Sequence, residues 1–318
     1  AYPWCPVNQS LLRPATWRSV AGAVDSFGTV YSIYRGFRYY VDHCRAAEAW
    51  CRAQGFQGPF VRVPHHLAHA ASAYDVSPFD SSAVLVLDGA GEWVSATFLR
   101  GDGLRLRVLG EVPLPFSIGQ LYQAVTGYLG FRQNADEAKV MALAAYAQPE
   151  RLEALRGILD WRRGRPHLAL EALNRTGLIF SGLNRAMADR IGAPRERGEP
   201  VAAHHYVLAA SAQRLLEEIV LGWARDLHEM TGITRLCLAG GVGLNCVLNA
   251  RLLEATPFQD LFVQPAAGDS GAALGAALYV LHQQRGVPRR FVMTHASWGP
   301  EASEAAQANA IRQSGLRV

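Results

Sequence analysis

The chain is 318 residues long, half hydrophobic and 18% charged, with 31 Lys and Arg against 27 Asp and Glu. That balance excludes a disordered chain, and the length is enough for one large or two ordinary domains. A net charge of +4 is too slight to announce a nucleic-acid or membrane surface, so neither partner is expected.

From Ala15 to Gln54 the sequence is helix-like, rich in Arg, Ala and aromatics and interrupted by Gly22, Gly28 and Gly36. The Ala-rich run HHLAHAASAY predicts a helix from about His65 to Tyr74. After the polar break DVSPFDSS, AVLVLD reads as a buried strand, GAGE as a tight turn and WVSATFLR as the antiparallel return; RLRVLGEV is a third strand. QLYQAVTGYLG and VMALAAYA read as helices joined by the loop FRQNADEAK. Residues 149–200 alternate Arg-rich amphipathic pieces with Gly and Pro breaks, which suggests an inserted helical cap. A long helix from Ala202 to Met230 follows, with Leu208, Leu215, Ile219 and Leu227 near its 3.6-residue period. TRLCLAGG is a second buried strand, VGLNCVLNARLLEA opens a helix, DLFVQP is another strand, and GDSGAALGAALYVLHQQ a loop and helix. This alternation predicts an α/β fold with a mixed sheet. The tail, 285–318, reads as a linker with a short final helix.

Five cysteines (Cys5, Cys44, Cys51, Cys237, Cys246) without a Cys-x-x-Cys pair predict neither a disulfide framework nor a zinc knuckle. They favour a reducing cytoplasm. No apolar run approaches the ~18 residues of a membrane span.

Several residues can carry chemistry. On a helix, His65 and His69 project from one face and can meet one metal ion; hydrogen-bonded helix-terminal histidines are the alternative. Asp88 ends an apolar strand, where open α/β sheets place ligands. Buried there, it needs a cation or donors such as the N–H groups of Gly89 to Gly91. Three strand-to-glycine turns, LDGAGE (87–92), LAGGVGLN (238–245) and QPAAGDSGAALG (264–275), together suggest a nucleotide cradle. Asp269 reads either as the N-cap of a helix starting at Ser270 or as a metal ligand. Lys139 is the sole lysine, the other 30 of the 31 basic residues being arginine. It reads as a phosphate-handling point charge or as a surface salt bridge to Asp136 or Glu137.

The segments VPHHLAHAASAY, SPFDSSAVLVLDGAGE, FSIGQLYQAVTGYLGF, DEAKVMALAAY, LAASAQ, LAGGVGLNCVLNARL and FVQPAAGDSGAALGAAL resemble the O-carbamoyltransferase family. That family includes the nodulation-factor, cephamycin and aminoglycoside-antibiotic carbamoylating enzymes, and the likeness spans roughly residues 60–285. It implies an actin-like, sugar-kinase (ribonuclease-H-like) two-lobed fold with mixed sheets flanked by helices. By this resemblance His65, His69, Asp88 and Asp269 bind Fe(II) or another divalent metal. Gly89, Gly91, Gly240, Gly241, Val242, Asn245 and Gly268 hold ATP or a carbamoyl-adenylate. His66 is a candidate base by position only, and Lys139 a second catalytic candidate. Carbamoyl phosphate, ATP and a hydroxylated small molecule are the implied partners.

The family's opening strand, with its His-Asp-Ala-Ser turn, has no counterpart before Ala1, and its adenylate-forming half has none before Val318. The expected division is therefore an incomplete first lobe (1–79), a second lobe (80–284, with 149–200 inserted) and a linker (285–318). The adenylate-forming domain is expected in a longer chain or in trans. The function expected is carbamoyl transfer to a hydroxyl of a natural product or antibiotic. Carbamoyl transfer in tRNA modification or hydrogenase maturation, or a non-catalytic nucleotide-binding scaffold, are the alternatives.

Overall fold

The computed structural model describes residues 41–162, 165–176 and 179–315. The helix-like stretch expected from Ala15 to Gln54 falls largely outside them; its described part is α1, over 41–53. α2 (His65–Tyr74) is followed by β1 (Ser81–Gly91), β2 (Val94–Asp102) and β3 (Arg105–Pro113), then α3 (Ile118–Tyr128), α4 (Glu137–Ala144) and α5 (Leu152–Arg156). The chain continues through β4 (Leu159–Arg162), β5 (Arg165–Leu168), β6 (Leu173–Thr176), β7 (Ile179–Leu183) and α6 (Ala188–Ile191). α7 (Ala203–Thr231), β8 (Arg235–Ala239), α8 (Cys246–Ala255), β9 (Asp260–Val263), α9 (Asp269–Leu278) and α10 (Glu304–Ser314) complete it.

Five strands form one mixed sheet in the order β3-β2-β1-β8-β9. β1–β2–β3 is an antiparallel meander, whereas β8 and β9 run parallel to β1. Only β2 opposes the rest, so the sheet is mixed, as expected. The apolar run AVLVL becomes the central strand because both its faces are covered. Ala83, Leu85 and Leu87 point into the larger core with Leu121, Val125, Leu215 and Ile219 of α3 and α7. Val84 and Val86 point the other way, against Ala70, Ala73 and Tyr74 of α2. The Ala-rich composition of α2 lets it lie close to the sheet, and α9 lies as closely on top. A Cβ added at Gly275 would stand 1.8 Å from the Ala68 carbonyl oxygen. Thus α2, assigned from sequence to a first lobe, contributes to the core of the five-stranded sheet.

Three local expectations are corrected. The GAGE turn is displaced: β1 runs on to Gly91 through a register break after Leu87, and Gly91 pairs Val94 across Glu92 and Trp93. The segment 149–200 is not a helical cap. It forms two hairpins, β4–β5 and β6–β7, with helices no longer than five residues. Its Gly and Pro breaks leave no run long enough to repay helix nucleation, while Leu159, Leu173 and Leu183 reach the core. Finally, Glu137, Ala138 and Lys139 belong to α4, not to the loop before it.

The segment after α9 is anchored at its start. Arg289 donates to the carbonyls of Tyr74 (2.8 Å), Ser77 (2.9 Å) and Phe79 (2.9 Å). It thereby ties the last carbonyl of α2 to two carbonyls of the turn that follows. Beside this clasp, burial pushes the Asp75 carboxyl up to about 6, against the pull of His282, Arg289 and Gln283. A raised carboxyl favours the folded state at low pH and loses that advantage as pH climbs through about 6. Asp75→Asn should therefore abolish roughly 2–3 kcal/mol of stability loss between pH 4 and pH 7. Urea unfolding at both pH values checks this; parallel profiles for variant and wild type would contradict it.

Candidate metal centre and nucleotide cleft

The helical spacing of His65 and His69 brings the two imidazoles edge to face beside Asp88 of β1, with their Nε2 atoms 3.0 Å apart. His65 Nε2 lies 2.9 Å from Asp88 Oδ2 and 3.3 Å from Asp269 Oδ1. His69 Nε2 lies 3.6 and 3.5 Å from the same two oxygens. All four donor atoms fall within 4.8 Å of one another. Donors bound to one cation at about 2.0–2.2 Å stand roughly 3–3.6 Å apart at neighbouring corners of the coordination shell. The spacing fits. Two imidazoles with two carboxylates suit a divalent iron, manganese or zinc ion.

Asp88 is divided between two tasks. Its Oδ1 accepts from the N–H groups of Gly89 (2.8 Å) and Gly241 (3.3 Å), while Oδ2 faces the imidazoles. Burial alone would raise this carboxyl, but its bonds to His65, His69 and Gly89 hold it far below the usual range. Burial likewise opposes charge on His65, yet the bond to Asp88 and the charges of Asp88, Asp269 and Glu92 leave it raised. Asp269 is the first residue of α9, whose N-cap is Gly268. Its side chain is thus free of capping and turns to the histidines.

A cleft of about 430 Å³ opens beside this cluster, lined by Gly89, Gly241, Val242, Asn245 and Gly268 together with Asp88 and Asp269. That volume lies within the range of small-ligand sites. Gly268 faces open space, since a Cβ there would meet only Leu244, at 3.9 Å. Asn245 lines the wall, but its side chain caps α8 at the Leu248 N–H (3.0 Å) and bonds Gln213. Tyr122, Gln123, Asn134 and Met141 also line the cleft. Sequence reasoning left them unassigned, although they lie within two of the family-like segments or between them. Asn134, at φ 60°, accepts from Gln123 at 2.6 Å.

Four expected residues sit elsewhere. Gly240 and Gly91 serve packing. At φ 92° a Cβ on Gly240 would stand 2.1 Å from the Leu87 carbonyl oxygen, and one on Gly91 would stand 2.5 Å from the His66 ring and 2.6 Å from the His65 ring. His66 does not line the cleft. It is buried, bonded through Nδ1 to Thr97 Oγ1 at 2.7 Å, and burial pulls it down to about 3. Lys139 forms the alternative read from sequence, a salt bridge to Asp136 at 3.1 Å, over the Phe131 ring. Its neighbours Glu137 and Ala138 line the cleft and it does not. In the first turn of α4 its stem follows Phe131 and Asp136 rather than the glycine loops.

Two glycine substitutions separate these roles. Gly91→Ala should cost about 1–3 kcal/mol by crowding both imidazoles. Gly268→Ala should stay within about 0.5 kcal/mol. Chemical unfolding compares them, and equal stabilities would contradict the assignment.

Among the described residues no helix is long and apolar enough to cross a membrane. Residues 20–278 match the sequence model of the carbamoyltransferase N-terminus. The protein sll1178 of Synechocystis sp. is 44% identical over 229 residues, 71% of this chain and 37% of that protein. Nodulation protein NolNO of Sinorhizobium fredii is 40% identical over 247 residues, 75% of this chain and 34% of that protein. The chain thus spans little more than a third of the length of these relatives. HypF of T. kodakarensis superposes with a TM-score of 0.41 at 17% identity, over 77% of this chain and 39% of that one. With a matching family segment that contains all four clustered side chains and the glycine loops beside them, the chain belongs to the carbamoyltransferase N-terminus family.

Proposed function

We propose that the chain is the transfer half of an O-carbamoyltransferase acting in the cytoplasm. It would pass the carbamoyl group of a carbamoyl-adenylate, made from ATP and carbamoyl phosphate, to a hydroxyl of a small natural product or antibiotic. The observation that carries this reading is the convergence of His65, His69, Asp88 and Asp269 at the rim of a glycine-walled cleft. The adenylate-forming step belongs to a further domain, in a longer chain or in trans.

In the transfer the acceptor oxygen forms the new C–O bond to the carbamoyl carbon, and the bond to the phosphate oxygen breaks. AMP leaves with the electron pair, and the hydroxyl proton is released. A divalent ion held by the four side chains would supply Lewis-acid polarisation of the carbamoyl carbonyl. The protein's own residues do the rest. Gly89 and Gly241 fix Asp88 through Oδ1 and leave its other oxygen aimed at the imidazoles. Gly241, Val242 and Gly268 keep the wall low enough for a nucleotide to approach backbone closely. His66 and Lys139, bonded to Thr97 and Asp136, enter no step.

The experiment is calorimetric titration of a non-hydrolysable carbamoyl-adenylate analogue with and without Fe(II), under anaerobic conditions. The expected result is tight analogue binding that requires iron. His65→Ala and Asp88→Asn, still folded by circular dichroism, lose iron retention and with it the analogue. Full iron retention in both variants, or analogue binding indifferent to iron, would contradict the proposal.

A further inference from the structure

α2 begins without a capping side chain of its own. Pro64 occupies the N-cap position, no side-chain cap bond is made there, and the first turn carries no acid. A helix start of this kind leaves N–H groups in need of an acceptor. The acceptor comes from the neighbouring hairpin. The His65 N–H points at the Glu92 carboxylate, 3.0 Å from one oxygen and 3.2 Å from the other.

Glu92 occupies the turn between β1 and β2 at φ 44°. That is the left-handed region, where glycine is the easy residue and glutamate a strained one. Glycine would serve the turn better, yet a carboxylate stands there. Four residues earlier on the same hairpin, Asp88 takes the ring of His65 at Nε2. One hairpin therefore grips His65 at both ends, Asp88 by the imidazole and Glu92 by the backbone. A carboxylate at a helix start also suits the helix dipole, which strengthens the grip.

We propose that Glu92 is a positioning residue of the metal centre. It fixes the backbone of His65, so the imidazole presents Nε2 to the point shared by His69, Asp88 and Asp269. This rests on the reading of those four side chains as metal ligands. Glu92 itself is not one of the four clustered donors and does not line the cleft.

Cobalt(II) titration followed by visible absorption tests it, on wild type, Glu92→Ala, Glu92→Gly and Glu92→Gln, with thermal unfolding alongside. Glu92→Gly removes the carboxylate while giving the turn its preferred residue, so the lost cap is offset and its folded stability should stay close to that of wild type. Even so, Glu92→Gly and Glu92→Ala should weaken cobalt binding about ten-fold or more and shift the ligand-field bands. Glu92→Gln keeps an acceptor oxygen and should retain most of the affinity. Unchanged affinity and bands in a stable Glu92→Gly protein would overturn the assignment of Glu92 alone. A wild-type chain that takes up no cobalt would overturn the metal reading and this assignment with it.

Discussion

Asp88 is a carboxylate at the register break of β1, directly after Ala83 to Leu87, which are wholly buried. A charge in that position is tolerated only if every face of it is answered. Two backbone N–H groups, from Gly89 and Gly241, answer one oxygen; the other is left to the imidazoles. Much of the surrounding architecture follows from this demand. β8 must run parallel to β1 so that its glycine turn reaches Asp88. Gly240 must be glycine so that this turn can lie against the Leu87 backbone. α3 can start directly over the strand end because Gly119 has no side chain to meet the Asp88 carbonyl.

The second half of the centre depends on how closely two helices approach. Gly275 brings α9 down on Ala68 and Ser72 of α2. Gln264, buried at the end of β9, donates to the Ser72 carbonyl and accepts from the Ala266 N–H. These contacts set the height of Asp269 relative to His65 and His69. Asp269 is the most exposed of the four side chains and His69 the least. The centre thus opens on the Asp269 side, towards the cleft, while its far wall is packed helix.

The sheet strands, the long helix and the pairing of His65 with His69 were legible because each rests on a short-range rule, whereas Asp88 and Asp269 joined that pair only through the family resemblance. Short continuous apolar runs, 3.6-residue periodicity and the four-residue spacing of His65 and His69 all act within one element. The misread parts depend on partners distant in sequence. Nothing local to 149–200 announces that its short pieces pair as hairpins, with β7 against α3 and β4 against α5 and α7. Nothing near Gly91 says that its hydrogen replaces a side chain because two imidazoles from another element need the room. Lys139 is the exception: its rarity suggests phosphate, while Asp136 and Phe131, both near in sequence, hold it in the salt bridge that was the other reading. Glu92, in a turn placed one step too early, was invisible as a cap because the start of α2 lies 27 residues before it.

The proposed centre requires that His65, His69, Asp88 and Asp269 bind a single divalent ion. X-ray absorption at the metal edge of the iron-loaded chain tests it most directly. The account predicts one iron per chain, nitrogen and oxygen scatterers at about 2.0–2.2 Å, and the multiple-scattering pattern of two imidazoles. Iron bound without imidazole scattering, or no stoichiometric iron in a folded chain, would contradict it.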